Sequence, residues 1–230
     1  VLDVKVAVFA RRPEGAPVMP GRWAERKLPR TSCRTVVAAI EGSDSFARRV
    51  RAEADRLGVS EAADVTVLGD GAEWIWNLAD LVFPQAAGVL DVYHGIEHLA
   101  EAIRAVWGES AEAAEDQLNA ARAALLSGGK AGVEGWIGSA FAAVPADESA
   151  DPLISAAAYF AKHPTRLDYA GRLADGRSIG SGLVEGSIKQ LVNLRLKRTG
   201  ARWRAEHVGP LVELIALADA PEWHAFWIAA

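Results

Sequence analysis

Three acidic residues stand where a sequence can place metal or acid–base chemistry. The segment Gly69-Asp70-Gly71-Ala72-Glu73-Trp74 sets an acid between two glycines, directly after the β-branched run Asp64–Leu68. An acid at the C-terminal end of a buried strand lies where open α/β sheets bind ligands. The flanking glycines permit a sharp turn and a close approach of backbone to ligand. Asp70 is equally suited to cap the helix that begins near Ala72. In Leu90-Asp91-Val92-Tyr93-His94, 21 residues on, a second acid ends a short apolar run. Neighbouring strands would bring Asp70 and Asp91 to one sheet edge, where two carboxylates can hold Mg²⁺. A helix plainly follows Asp91, so capping is its simpler role. The third acid, Glu185, is the one carboxylate among seven basic residues between positions 177 and 204. It falls in the first turn of a helix with Lys189 at i+4, so a macrodipole contact with a salt bridge is its structural alternative.

Two other patterns carry chemistry of their own. His94-Gly-Ile-Glu97-His98 fits H-x-x-E-H, in which two imidazoles on one helix face ligate zinc and the glutamate activates water. Glu185 would then be the distant third ligand of a zinc hydrolase. That reading explains neither the GDGAEW turn nor the basic C-terminal stripe. Gly180-Ser-Gly182 could cradle a phosphate, but no strand evidently precedes it, which weakens a P-loop or Rossmann reading.

The elements that must position these residues follow from periodicity. Val4–Ala10 and Arg34–Ile40 read as strands, joined by a Pro-rich loop. Ser43 or Asp44 can cap a helix that runs to Leu57 and stops at Gly58. Strand Asp64–Leu68, helix Ala72–Leu81, strand Gly88–Asp91 and helix Val92–Trp107 come next. From Glu109 to Phe160 the chain is Ala-rich with helical spacing, broken near Ser127–Lys130 and Pro145, and reads as two to four helices inserted as a unit. A helix over Leu183–Leu196, a turn at Thr199-Gly200 and helices near Ala205–Ala218 and Trp223–Ile228 complete the chain. Strands, then strand–helix–strand, then helices indicate an α/β core with an all-helical insertion.

Composition bounds the functions available. Of 230 residues half are apolar, with 25 Lys+Arg against 30 Asp+Glu, which excludes a disordered chain. No apolar run is long enough to span a bilayer, and no export signal opens the sequence. Cys33 is the single cysteine, which excludes a disulfide framework and fits a reducing cytoplasm. The net charge of −5 conceals a strong asymmetry: +5 over residues 1–60, −11 over 61–120 and +6 over 177–204. A basic stripe beside an acidic cluster can grip a phosphate backbone, although a solvated helix face is the plainer account of such charges.

Taken together, GDGAEWIW, FPQA…LDVYHGIEHL, RSIGSGLVEGSIKQLVNLRLKRTGARW and the closing EWHAFW resemble bacterial insertion-sequence transposases with an RNase-H-like, three-acid (DDE) core, most nearly the Kra group. The resemblance covers nearly the whole chain in order. It implies an RNase-H-like mixed sheet flanked by helices. Residues 1–108 would form the N-terminal part of the core, 109–165 the helical insertion before the helix of the third acid, and 166–230 the C-terminal part. It implies that Asp70 and Glu185 are the second and third acids of a two-Mg²⁺ site (Mn²⁺ being an alternative), with Asp91 in support and His94 shaping the site. DNA ends and target DNA would be the partners, met by Lys189, Arg195, Lys197, Arg198, Arg202 and Trp203. A homodimer or higher oligomer on DNA in the bacterial cytoplasm, associated with the nucleoid, is the expected setting. The family's first Asp belongs in a D-G turn on the first core strand, and no such turn precedes the first strand here. Asp3, in VLDVKV, is mid-strand, and the chain opens on Val with strand pattern at once. The expectation is therefore an N-terminally truncated piece, inactive in transposition by itself. The alternative is a non-catalytic DNA- or protein-binding remnant of such an enzyme.

Overall fold

The computed structural model describes residues 3–108, 112–197, 199–200, 202–218, 220, 223 and 227–228. The fold is mixed α/β. Strands β1 (Lys5–Arg11) and β2 (Cys33–Ala39) form an antiparallel pair with Val8 opposite Val36. Both faces of the pair are apolar, which is why VKVAVFA lacks a polar side. Val4, Val6 and Val8 pack with Val36 against Val212 of a C-terminal helix, α8 (Ala205–Ala218). Ala7 and Phe9 on the other face pack with Phe46 and Val50 of α1 (Ser43–Arg56). Burying side chains such as Phe46 and Val50, each 1% exposed, contributes about 1.5–3 kcal/mol apiece. Gly42, rather than Ser43 or Asp44, occupies the N-cap of α1, and no side chain caps the helix. Asp44 still lies in the first turn, where its charge suits the dipole.

Strands β3 (Thr66–Gly69) and β4 (Ala87–Leu90) are parallel, joined through α2 (Glu73–Val82). Among the described residues the two strand pairs remain separate sheets, whereas the sequence reading expected one mixed sheet. No backbone ladder joins β1 to β3, so these strands keep one unpaired edge each, and their apolar residues are mostly only half-buried. Helices α1 and α2 bridge the pairs on one face, with Trp74 and Leu78 of α2 packed into the α1 cluster.

The main core lies on β3–β4. Helix α3 (Val92–Trp107) packs there with α4 (Glu112–Phe141) and α5 (Asp151–Ala161). Helix α4 cannot be straight. At 1.5 Å per residue Gln117 and Trp136 would be separated by roughly 28 Å, yet Trp136 Nε1 donates to Gln117 Oε1 at 3.0 Å. The reversal occurs at Gly129, in a left-handed conformation (φ 53°), so residues 112–128 and 130–141 form a helical hairpin. That is the break expected near Ser127–Lys130. The helical block shares its core with β4 and α3 through Leu125, Leu153 and Phe160. In the C-terminal third two features escaped the sequence reading. A short helix, α6 (Tyr169–Ala174), precedes α7 (Gly182–Ile188), and the expected helix over Leu183–Leu196 passes after Ile188 into a π-helical turn, Lys189–Asn193.

Candidate functional site

Parallel pairing of β3 with β4 sets Gly69 opposite Leu90, so Asp70 and Asp91 emerge side by side at the C-terminal ends of the strands. Both acids were expected at one edge, and both lie there. Their environments differ sharply. Asp70 is exposed, and its Oδ1 accepts only the backbone N–H of Ala72, at 2.9 Å. Asp91 is completely buried. Its Oδ1 accepts from the N–H groups of Tyr93 (2.7 Å) and His94 (3.2 Å), capping α3, and its Oδ2 accepts from Ser181 N–H. The backbone around it is equally committed, with Asp91 N–H donating to Gly69 O and Val92 N–H to Ile179 O. Both oxygens of Asp91 thus serve the backbone, as the capping alternative required.

The bond to Ser181 brings the third acid to this edge. Ser181 is the N-cap of α7, and Glu185 N–H donates to Ser181 O at 3.2 Å, so Glu185 sits one helical turn beyond the residue clasped by Asp91. Its carboxylate is exposed and forms no ion pair with Lys189 or any other described residue. Asp70 and Glu185 are therefore available carboxylates of the hard-oxygen type that Mg²⁺ takes. Asp91 does not fit that role while it caps α3 and α7. Among the described residues no three His, Cys, Asp or Glu side chains form a metal-binding group.

The structure adds Tyr159, which no motif indicated, to this edge. Gly71 (φ 99°) brings the turn under Tyr159 of α5, and a Cβ there would lie 2.6 Å from the Tyr159 hydroxyl. That hydroxyl donates to Asp70 O at 3.0 Å. Burial first, then the charges of Asp70 and Asp91, push the Tyr159 phenol above its ordinary range. It stays protonated and holds the Asp70 turn. His98 stacks on Tyr159 with ring centroids 3.7 Å apart, and His94 Nδ1 lies 3.3 Å from Glu97 Oε2. In H-x-x-E-H, then, one imidazole packs on a phenol and the other pairs with the glutamate between them.

His163, behind Tyr159, is 3% exposed, and neither ring nitrogen has a partner. Burial, then the charges of Arg166, Lys162 and His98, hold its pKa below the ordinary value. Below about pH 6.5 the unfolded chain takes up a proton at this residue that the fold resists. Stability therefore falls as the pH drops through that value and stops falling, for this group, below the folded pKa. Thermal unfolding followed between pH 7.5 and 5 should show the melting temperature declining in the parent and declining less in His163→Leu. Equal slopes in the two proteins would refute the assignment to His163.

Lys189, Arg195, Lys197 and Arg202 are exposed, and none is ion-paired to a described carboxylate. Arg198 lies outside the described residues. Trp203 is 47% exposed, and its Nε1 donates to Leu196 O at 3.0 Å, closing the basic turn on itself. The resulting surface is a cationic loop carrying an exposed indole face. No helix of the described residues is long and apolar enough to cross a membrane. No protein-family model, curated protein or solved structure matches the chain.

Proposed function

We propose that this chain belongs to a DNA transposase of the bacterial insertion-sequence type with an RNase-H-like core, in which Asp70 and Glu185 are two of the three metal-binding carboxylates. The observation that carries this reading is the convergence of Asp70, Asp91 and the first turn of α7 at one sheet edge, across 115 residues of sequence between Asp70 and Glu185. In such a site Mg²⁺ ions would activate the attacking oxygen and stabilise the leaving oxygen of a phosphodiester. Asp70 and Glu185 would supply oxygen ligands, Tyr159 would hold the Asp70 turn, and Asp91 would hold α7 against the sheet. The reading also supplies a place for the first acid. A strand pairing with both β1 and β3 would merge the two sheets into one and end beside Asp70. DNA ends and target DNA are the partners on this reading, within the bacterial cytoplasm and on a homo-oligomer.

A second reading, a DNA-binding remnant without catalysis, is favoured by the absence of a three-carboxylate group among the described residues. Both readings require the cationic loop to meet phosphates rather than base edges. In Lys197→Ala/Arg198→Ala, affinity for duplex DNA should fall alike for all sequences. The slope of log K against log salt should flatten by up to about 2, since each phosphate contact contributes about 0.9. Fluorescence anisotropy across a salt series measures this, and an unchanged slope would show that these charges only face solvent. Strand cleavage in Mg²⁺ separates the two readings.

A further inference from the structure

A cavity of about 150 Å³ lies away from the acid edge, between α2, the start of β4 and the segment that follows α5. Its wall includes Trp76, Asp80, Phe83, Gly88, Thr165 and Arg166. The Arg166 guanidinium sits 4.2 Å from the centre of the Trp76 ring. Its stem runs over Gly88, where a Cβ would come within 3.1 Å of Nε. The backbone is pinned on both sides, since Arg166 N–H donates to His163 O and Arg166 O accepts from Leu90 N–H. This half-buried cation is thus placed by a ring, a glycine and two backbone bonds, yet it forms no ion pair with any described carboxylate, Asp80 included. Trp76 is 5% exposed, and its Nε1–H is buried without an acceptor. Arg166 and Asp80 both line the cavity without pairing to each other.

We propose that this cavity binds a small oxyanion of the phosphate class, gripped by the Arg166 fork with the Thr165 hydroxyl beside it. Arginine is the side chain whose planar fork matches phosphate oxygens in pairs. A volume near 150 Å³ is that of a cavity able to hold a benzene-sized molecule, which admits phosphate or a phosphomonoester terminus and excludes a whole nucleotide. A Cβ at Gly88 would press on the Arg166 stem and shift it by a few tenths of an ångström. The site does not depend on the roles given to Asp70 and Glu185, and it stands or falls separately from transposase chemistry.

Inorganic phosphate is the probe, titrated to about 10 mM at constant ionic strength while the Trp76 indole N–H and Arg166 Nε–H resonances are followed by nitrogen-15 NMR. Saturable shifts in both are expected, with chloride giving none. Arg166→Gln keeps the stem on Gly88 and Trp76 but removes the fork, and it should weaken binding at least about tenfold. Gly88→Ala, which retains the cation but crowds it, should weaken binding as well. Should Arg166→Gln fail to fold, Arg166→Lys, which keeps the charge without the fork, provides the same comparison. Non-saturating shifts, identical shifts with chloride, or unchanged affinity in the variants would overturn the proposal. A single-stranded oligonucleotide with a 5′-terminal phosphate, added to the phosphate-saturated protein, identifies the source. Displacement of phosphate assigns the site to a nucleic-acid phosphate, and retention assigns it to a free oxyanion.

Discussion

On the proposed transposase reading, the chain purified as it stands should bind DNA but neither cut nor join it in Mg²⁺. Two ions about 4 Å apart must share oxygen ligands, and Mg²⁺ sheds water only for near-octahedral geometry. Asp70 and Glu185 offer free carboxylates at the edge of β3–β4, whereas Asp91 is consumed by three backbone N–H groups. Extending the protein with a strand that pairs with β1 and β3 and ends in Asp-Gly should therefore produce Mg²⁺-dependent cleavage of element ends. In that longer protein Asp70→Asn or Glu185→Gln should lower the rate by well over the 10²–10⁴-fold typical of one acid–base group. Gel-resolved cleavage and strand-transfer products measure both. If the 230-residue chain cuts DNA unaided, Asp3 or Asp91 must supply the ligand, and Asp→Asn at each would identify it.

Asp91→Ala should be the most destabilising single change at this edge, costing about 4 kcal/mol. It strands the N–H groups of Tyr93, His94 and Ser181 around a fully buried position, each at about 1–3 kcal/mol with partial relaxation. For a chain of this size the melting temperature should fall by roughly 10 °C. Because one of these bonds reaches Ser181, α7 should loosen first. Hydrogen exchange over residues 181–188 would then rise well before exchange in β4. Asp70→Ala removes one exposed hydrogen bond in the turn before α2, whose N-cap is Ala72, and should cost only about 0.5–1 kcal/mol. The contrast separates a structural acid from an available one. If Asp70 proves as costly as Asp91, or if exchange in α7 is unchanged by Asp91→Ala, the clasp is wrongly placed.

Local order was legible in the sequence wherever near neighbours decide it. Helix α3 spans Val92–Trp107 as its periodicity and the Asp91 cap required, and α8 likewise occupies Ala205–Ala218. The four strands lie within two residues of their expected bounds, and the helical break falls at Gly129, within the expected Ser127–Lys130. Such features depend on contacts among residues a few positions apart, so composition and spacing carry them. The site was legible only in its acids. The sequence could place Asp70 and Asp91 at strand ends, but not distinguish them, because capping and metal binding use the same residue at the same position. Burial separated them. Asp91 is held by Ser181, 90 residues away, and Asp70 by Tyr159, 89 away. Neither partner has a local signature, since Ser181 contributes a backbone N–H that any residue but proline would provide. The π turn after Ile188, the Gln117–Trp136 bond and the stacking of Arg166 on Trp76 are likewise products of packing. Tertiary structure alone decided which acid stays free, because only it fixes which buried N–H groups must find an acceptor.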